Sequence, residues 1–160
     1  MNKLILSTLV LCLFSLFANA QQHYQWDAHG IGFTITDDFN INTNNHEEFT
    51  AASSDGLIEF QLFPWQDELV TESELEVYLL AFVGEMASDT DIDIDNLDAD
   101  KVELDDFTGS YVIMNSGTSM ILTAFLLDTA SGTNLIAQVI FEAGNEDEAI
   151  NILSSLYAYD

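Results

Sequence analysis

Of the 160 residues, 28 are Asp or Glu and two are Lys or Arg, a formal charge of −26 at pH 7. Both bases are lysines, and only Lys101 lies beyond residue 20. Nucleic-acid and anionic-membrane binding rest on neutralising phosphates with Lys and Arg, so neither is expected. An arginine clamp for phosphate or carboxylate substrates is impossible. At 48% hydrophobic residues the chain is too apolar for an acidic disordered tail, and a packed core is expected.

In chain order, the first feature is a three-part leader. Met1-Asn2-Lys3 is a short positive start, Leu4 to Phe17 is apolar, and Ala18-Asn19-Ala20 supplies small residues at a cleavage site. Together they predict a secretory signal peptide over 1–20, cut after Ala20, with export to the periplasm or the cell exterior. The apolar run falls short of the roughly 20 residues a membrane anchor needs, so no stable membrane insertion of the mature chain is expected. Cys12 is the only cysteine, and Leu11 before it is too large for a lipid-modification site. Residues 21–160 then lack any disulfide, thiolate nucleophile or cysteine-ligated metal. They read as one secreted acidic domain.

Ile31, Phe33 and Ile35 alternate as one face of a strand. Turns around the Asn-rich run 40–45 enclose a short Phe39/Ile41 segment. Asp55-Gly56 joins Phe49–Ala52 to Leu57–Phe63 as a hairpin, and Pro64 is expected to close the second strand. Thr71-Glu72-Ser73-Glu74 is a capping box, with Val70 and Leu75 placed as a hydrophobic staple. Leu75, Tyr78, Leu79, Phe82, Val83 and Met86 then form one apolar helical stripe. Gly84 is read as a point of close packing against a sheet. Strands are predicted at 101–104, 111–114, 120–127 and 135–141, the last three as a meander, with 121–127 apolar enough to be covered on both faces. A second N-cap box, Asn145 to Glu148, opens a helix burying Ile150, Leu153, Leu156 and Tyr157. The order β-β-β-α-β-β-β-β-α predicts class α+β, an antiparallel sheet flanked by two main helices.

Five segments carry a family resemblance: Gly30-Ile31-Gly32-Phe33-Thr34-Ile35, Asp55-Gly56-Leu57-Ile58-Glu59-Phe60, the capped helix from Thr71, Phe107-Thr108-Gly109-Ser110-Tyr111, and 148–156. In element order and hydrophobic pattern the chain resembles the PsbP-like superfamily, which includes a photosystem-associated lumenal protein and small secreted bacterial domains. That resemblance implies an antiparallel sheet flanked by helices and a non-enzymatic binding or accessory role. It carries no functional residues across.

The run 89–100 offers the sharpest candidate chemistry. On a calcium-loop template Asp89, Asp91, Asp93 and Asp95 fall at positions one, three, five and seven, and Asp100 at twelve. Ile94 stands where the loop needs glycine, and twelve is not a bidentate Glu. Read as an edge strand, Asp-Ile-Asp-Ile-Asp turns its isoleucines inward, with same-face acids about 7 Å apart, too far to converge on one ion. His23, His29 and His46 lie in the N-terminal quarter without metal-ligand spacing, although His46-Glu47-Glu48 has suitable chemistry. There is no G-x-S-x-G, and 116–119 reads as a hairpin turn. With so many acids, some carboxylate pair always lies at hydrolase spacing, so that feature has no weight. Tyr24, Trp26, Phe63 and Trp65 are aromatic candidates for stacking on a sugar or a partner, with core packing the commoner fate. The expected function is a non-catalytic, exported acidic domain binding a protein or glycan, without a cofactor. A Ca²⁺-binding protein is the alternative, and a small carboxylate hydrolase the third reading.

Overall fold

The computed structural model describes residues 21–36, 38–66, 70–88, 92–93, 97–129 and 133–159. The leader expected over 1–20 lies outside them, as does the turn expected at Ser131-Gly132. Among the described residues are eleven strands and two α-helices. In chain order these are β1 (Gln21–Trp26), β2 (Ile31–Thr36), β3 (Phe39–Asn44), β4 (Phe49–Ser53), β5 (Ile58–Trp65), α1 (Leu75–Ser88), β6 (Ile92–Asp93), β7 (Asp100–Glu103), β8 (Phe107–Ser116), β9 (Ser119–Asp128), β10 (Asn134–Glu142), α2 (Glu146–Ser154) and β11 (Tyr157–Ala158).

The expected α+β class, one sheet flanked by two helices, is corrected: the chain is mostly β, built on two antiparallel sheets. An eight-stranded sheet runs β3-β4-β5-β10-β9-β8-β6, with β7 also on β8, and a small sheet runs β1-β2-β11. The whole of β8 pairs with β9, so β6 and β7 share its other side. One face of the large sheet is covered by α1 through Leu75, Leu79 and Val83 against Val112, Met114 and Phe125. The small sheet and α2 cover the other face, and Phe33 packs on Phe49 and Phe60 with centroids 4.8 and 5.1 Å apart. The edge-strand reading of the Asp-Ile-Asp-Ile-Asp run holds at Ile92–Asp93, which pairs with β8. Two strands were missed: β11 has two residues, too short to show a period, and β1 is mostly Gln and His, held by pairing with β2 rather than by propensity.

Several local expectations hold. Leu122 to Leu126 are consecutively buried, as a strand covered on both faces requires. At the β4–β5 turn Gly56 takes φ +76, and Asp55 Oδ1 accepts from the Ser53 hydroxyl (2.7 Å) and the Leu57 amide (3.1 Å). The Thr71 amide donates to Glu74 Oε2 at 3.1 Å, the Glu half of the capping box, and the Thr71 hydroxyl donates to the same oxygen at 2.7 Å.

Others are corrected. Pro64 does not close β5; it pairs with Leu135 inside the strand. The β4 ladder has ended at Leu62, leaving an open side that tolerates a proline. Tyr78 is 42% exposed, outside the buried 75-79-83 line. A Cβ on Gly84 would meet nothing within 4 Å, so close packing does not explain that glycine. The Asn145 side chain does not cap α2: Asn145 Nδ2 donates to the Glu142 carbonyl, and Glu146 Oε2 accepts from the Gly144 amide. Leu153 and Leu156 are buried as expected and Ile150 is half-buried against the core, but Ala149 and Ile152 join the buried face, and Tyr157 lies in β11 rather than in the helix.

Candidate functional site

Two glycines lie beside a groove between β7 and the end of α2. A Cβ on Gly109 would come within 2.3 Å of the Phe125 carbonyl oxygen, so only glycine lets β8 approach β9 this closely. Gly109 faces Val102, and β7 pairs with β8 without interruption from Asp100↔Tyr111 to Glu103↔Thr108. Gly32 opens space for the Tyr157 ring, whose Cζ would lie 2.1 Å from an added Cβ, and that ring sits at the end of the chain's path from α2 into β11.

Hydrogen bonds fix the segments on either side of this region. Ser155 Oγ accepts from the Thr34 amide (2.9 Å) and donates to the Ile152 carbonyl (2.8 Å), fixing the end of α2 to β2. Asp106 Oδ2 accepts from the Ala158 amide (2.9 Å), and the Leu104 amide donates to the Phe107 carbonyl (2.8 Å). The groove between them has a volume of about 700 Å³. Five consecutive residues, 101–105, line one part of it, and Ile150, Leu153, Ser154, Ser155, Leu156 and Tyr157 another, with Tyr111 also in the lining. Val102 and Leu104 are half-buried toward the aromatic core, whereas Lys101, Glu103 and Asp105 are exposed. Among the described residues no strand pairs with the outer side of β7.

Burial, with Asp100 adding its charge, raises the Tyr111 phenol above its ordinary pKa, so it stays a neutral hydroxyl. The Ser155 hydroxyl is committed to backbone partners. Lys101, the one base beyond residue 20, lines the groove with Glu103 and Asp105.

The other candidates disperse. Asp89, Asp91 and Asp95 lie outside the described residues. Asp93 pairs with Asn115 in β6, and Asp100 opens β7, exposed. Among the described residues no three His, Cys, Asp or Glu side chains could hold a metal ion together. His29 Nε2 donates to the His46 carbonyl (2.8 Å), its Nδ1 faces the Thr133 hydroxyl (3.4 Å), and its ring lies 4.3 Å from Trp26. In that tautomer neither ring nitrogen is free for a metal. His23 stands apart, with Nδ1 3.0 Å from the Thr34 hydroxyl. Trp26 is fully buried with its Nε1 donating to the Asn45 carbonyl (2.5 Å), and half-buried Trp65 packs on Phe125, centroids 4.8 Å apart. A smaller pocket of about 270 Å³ carries Asp38, Asp55 and Glu148; Asp55 is engaged in its turn, and the Thr36 hydroxyl donates to Asp38. The groove itself was not evident in the sequence. Its sides come from residues about 50 apart, and the only local signals were the lone Lys101 and the 101–104 strand.

No protein-family model matches this chain, and no curated protein matches its sequence. Solved structures do resemble it. The Ran-binding protein Mog1p of Saccharomyces cerevisiae superposes with a TM-score of 0.55 at 12% identity, over 89% of this chain and 97% of that one. A point mutant of Mog1 gives 0.54 at 12% identity, over 88% and 97%. A Bacteroides thetaiotaomicron protein gives 0.50 at 9% identity, over 88% of this chain and 48% of that one. At such identities the likeness defines the fold alone: a Mog1-like fold. The PsbP-like resemblance is corrected accordingly. It rested on element order and hydrophobic alternation, which record only how strands and helices bury their apolar faces, and these do not separate one family from another. Among the described residues no helix is long and apolar enough to cross a membrane.

Proposed function

We infer that the chain is exported, cut after Ala20, and acts as a non-catalytic acidic binding domain whose partner is a protein. The observation that carries this reading is the groove: β7, with no strand on its outer side among the described residues, and the end of α2 line it, with Lys101, Glu103 and Asp105 supplying charge. Such a surface offers backbone hydrogen bonds, apolar contact and charge, which is what protein recognition uses. Support of a weaker kind comes from the fold, since a Ran-binding protein is built on the same scaffold.

Immobilising residues 21–160 and passing the protein's own cell-envelope extract over them tests the reading. A protein retained at low salt and released by about 0.5 M NaCl is expected, because exposed charge pairs are screened there. An empty eluate, or a glycan alone, overturns it. Intact mass of the exported protein should lack residues 1–20; a mass that keeps them defeats the export half.

A further inference from the structure

We propose, on the basis of that binding reading, that the outer edge of β7 accepts an extended segment of the partner protein as an added strand, and that the segment alternates apolar residues with Lys or Arg.

Three observations converge on β7. Its inner side is fully occupied by β8, its outer side carries no strand among the described residues, and three of its four residues line the groove. The groove has the capacity of one strand: with a rise of about 3.3 Å, strands about 4.8 Å apart and layers about 10 Å apart, one residue fills roughly 160 Å³. At about 700 Å³ the groove therefore holds about four residues, the length of β7. The two faces of such a strand would meet different surroundings. On the face shared with Val102 and Leu104 its side chains would meet half-buried Ile150 and Tyr157, which favour apolar groups, beside Ser154 and Ser155. On the face shared with Glu103 and Asp105 they sit beside exposed carboxylates, which favour Lys or Arg.

Charge also decides against a second copy as the occupant. Beyond residue 20 the chain has 28 acids and one base, and a copy would set like charges along the same edge. Lys101 refines the pattern, because it disfavours a base directly opposite itself and confines the basic positions to those facing Glu103 and Asp105.

The probe is the capped peptide Lys-Val-Lys-Val-Lys, compared with Glu-Val-Glu-Val-Glu and with a Lys-Val-Lys-Val-Lys peptide N-methylated at alternate amides, all against residues 21–160. Binding is followed by fluorescence anisotropy and by residue-resolved amide exchange. The Lys peptide should bind saturably and slow exchange within 101–105. The N-methylated form should bind about tenfold weaker, the loss of one or two net backbone hydrogen bonds. Glu103→Lys should weaken the Lys peptide about two- to fivefold and Lys101→Glu should strengthen it by a similar factor, both being exposed charges that leave the fold intact. Equal binding of the N-methylated peptide would reduce the effect to charge alone and overturn the proposal. So would protection falling on the Val77–Tyr78 face of α1, dimerisation through β7, or no saturable binding. If Glu103→Lys still retains the envelope protein while these peptide results fail, the binding reading stands and the β7 assignment falls. If neither protein nor peptide is retained, both fall.

Discussion

The two edges of the large sheet are protected in different ways. At one end β3 is Asn-rich and exposed, and its register against β4 slips between Ile41 and Thr43. Such a bulge twists the strand and breaks the regular row of amides and carbonyls that an incoming strand would need. At the other end β7 pairs with β8 in unbroken register and has a groove before it. Its protection is charge: Asp100, Lys101 and Glu103 in four residues. A bulge turns away every strand, whereas charge turns away only strands of the wrong sign. The difference teaches that β3 is closed by geometry and β7 is selective by electrostatics.

The strongest way to break the comparison is to remove what joins the two ends. Phe60 in β5 is fully buried against Phe33 and Phe49, and β5 links β4 to β10. Phe60→Ala should cost about 3–5 kcal/mol and loosen both edges together, read by chemical denaturation. Gly109→Ala is more local: it drives a methyl into the Phe125 carbonyl and should cost about 1–3 kcal/mol. Its hydrogen-exchange signature should concentrate in β7 and β8 and spare β3; uniform loosening would show that the ends are not independent. Gly84→Ala runs the other way. Its Cβ meets open space on α1, so it should stabilise the fold by about 0.5–1 kcal/mol without altering exchange at either edge.

Two solution variables sharpen the contrast further. Compaction of so acidic a chain brings like charges together, so raising NaCl from about 0.05 to 0.5 M should raise the melting temperature while weakening the Lys peptide at β7. The opposite signs are the point; a melting temperature indifferent to salt would show that repulsion does not limit the fold. Matched ionic strengths of NaCl and CaCl₂ should act alike, and a saturable extra response to Ca²⁺ would reopen the 89–100 run as a cation site. The smallest effect concerns the β4–β5 turn beside the bulged edge. Ser53 and Leu57 hold the Asp55 carboxyl below its ordinary pKa. A carboxylate depressed in the fold stabilises above its unfolded pKa and loses that contribution as pH falls through the folded value. The melting-temperature gap between wild type and Asp55→Ala should therefore be full at neutral pH and narrow below about pH 4. A gap independent of pH would show that the charged form of Asp55 adds nothing.

Much of this architecture was legible one segment at a time. The Asp55-Gly56 hairpin, the Thr71–Glu74 box and the 8-9-10 meander join neighbours at most about two dozen residues apart, and local chemistry decides them. Charge, the near absence of bases and the lack of a cysteine after Cys12 likewise follow from the sequence alone. Tertiary structure decided the rest. Only the pairing of β5 with β10 makes one sheet of two hairpin systems, and only the Ser155–Thr34 and Asp106–Ala158 hydrogen bonds place the end of α2 and β11 across from β7. Those contacts join residues 52 to 121 apart, so no local pattern encodes them. The groove exists because of them, for a concave surface belongs to the space between elements and not to any one of them.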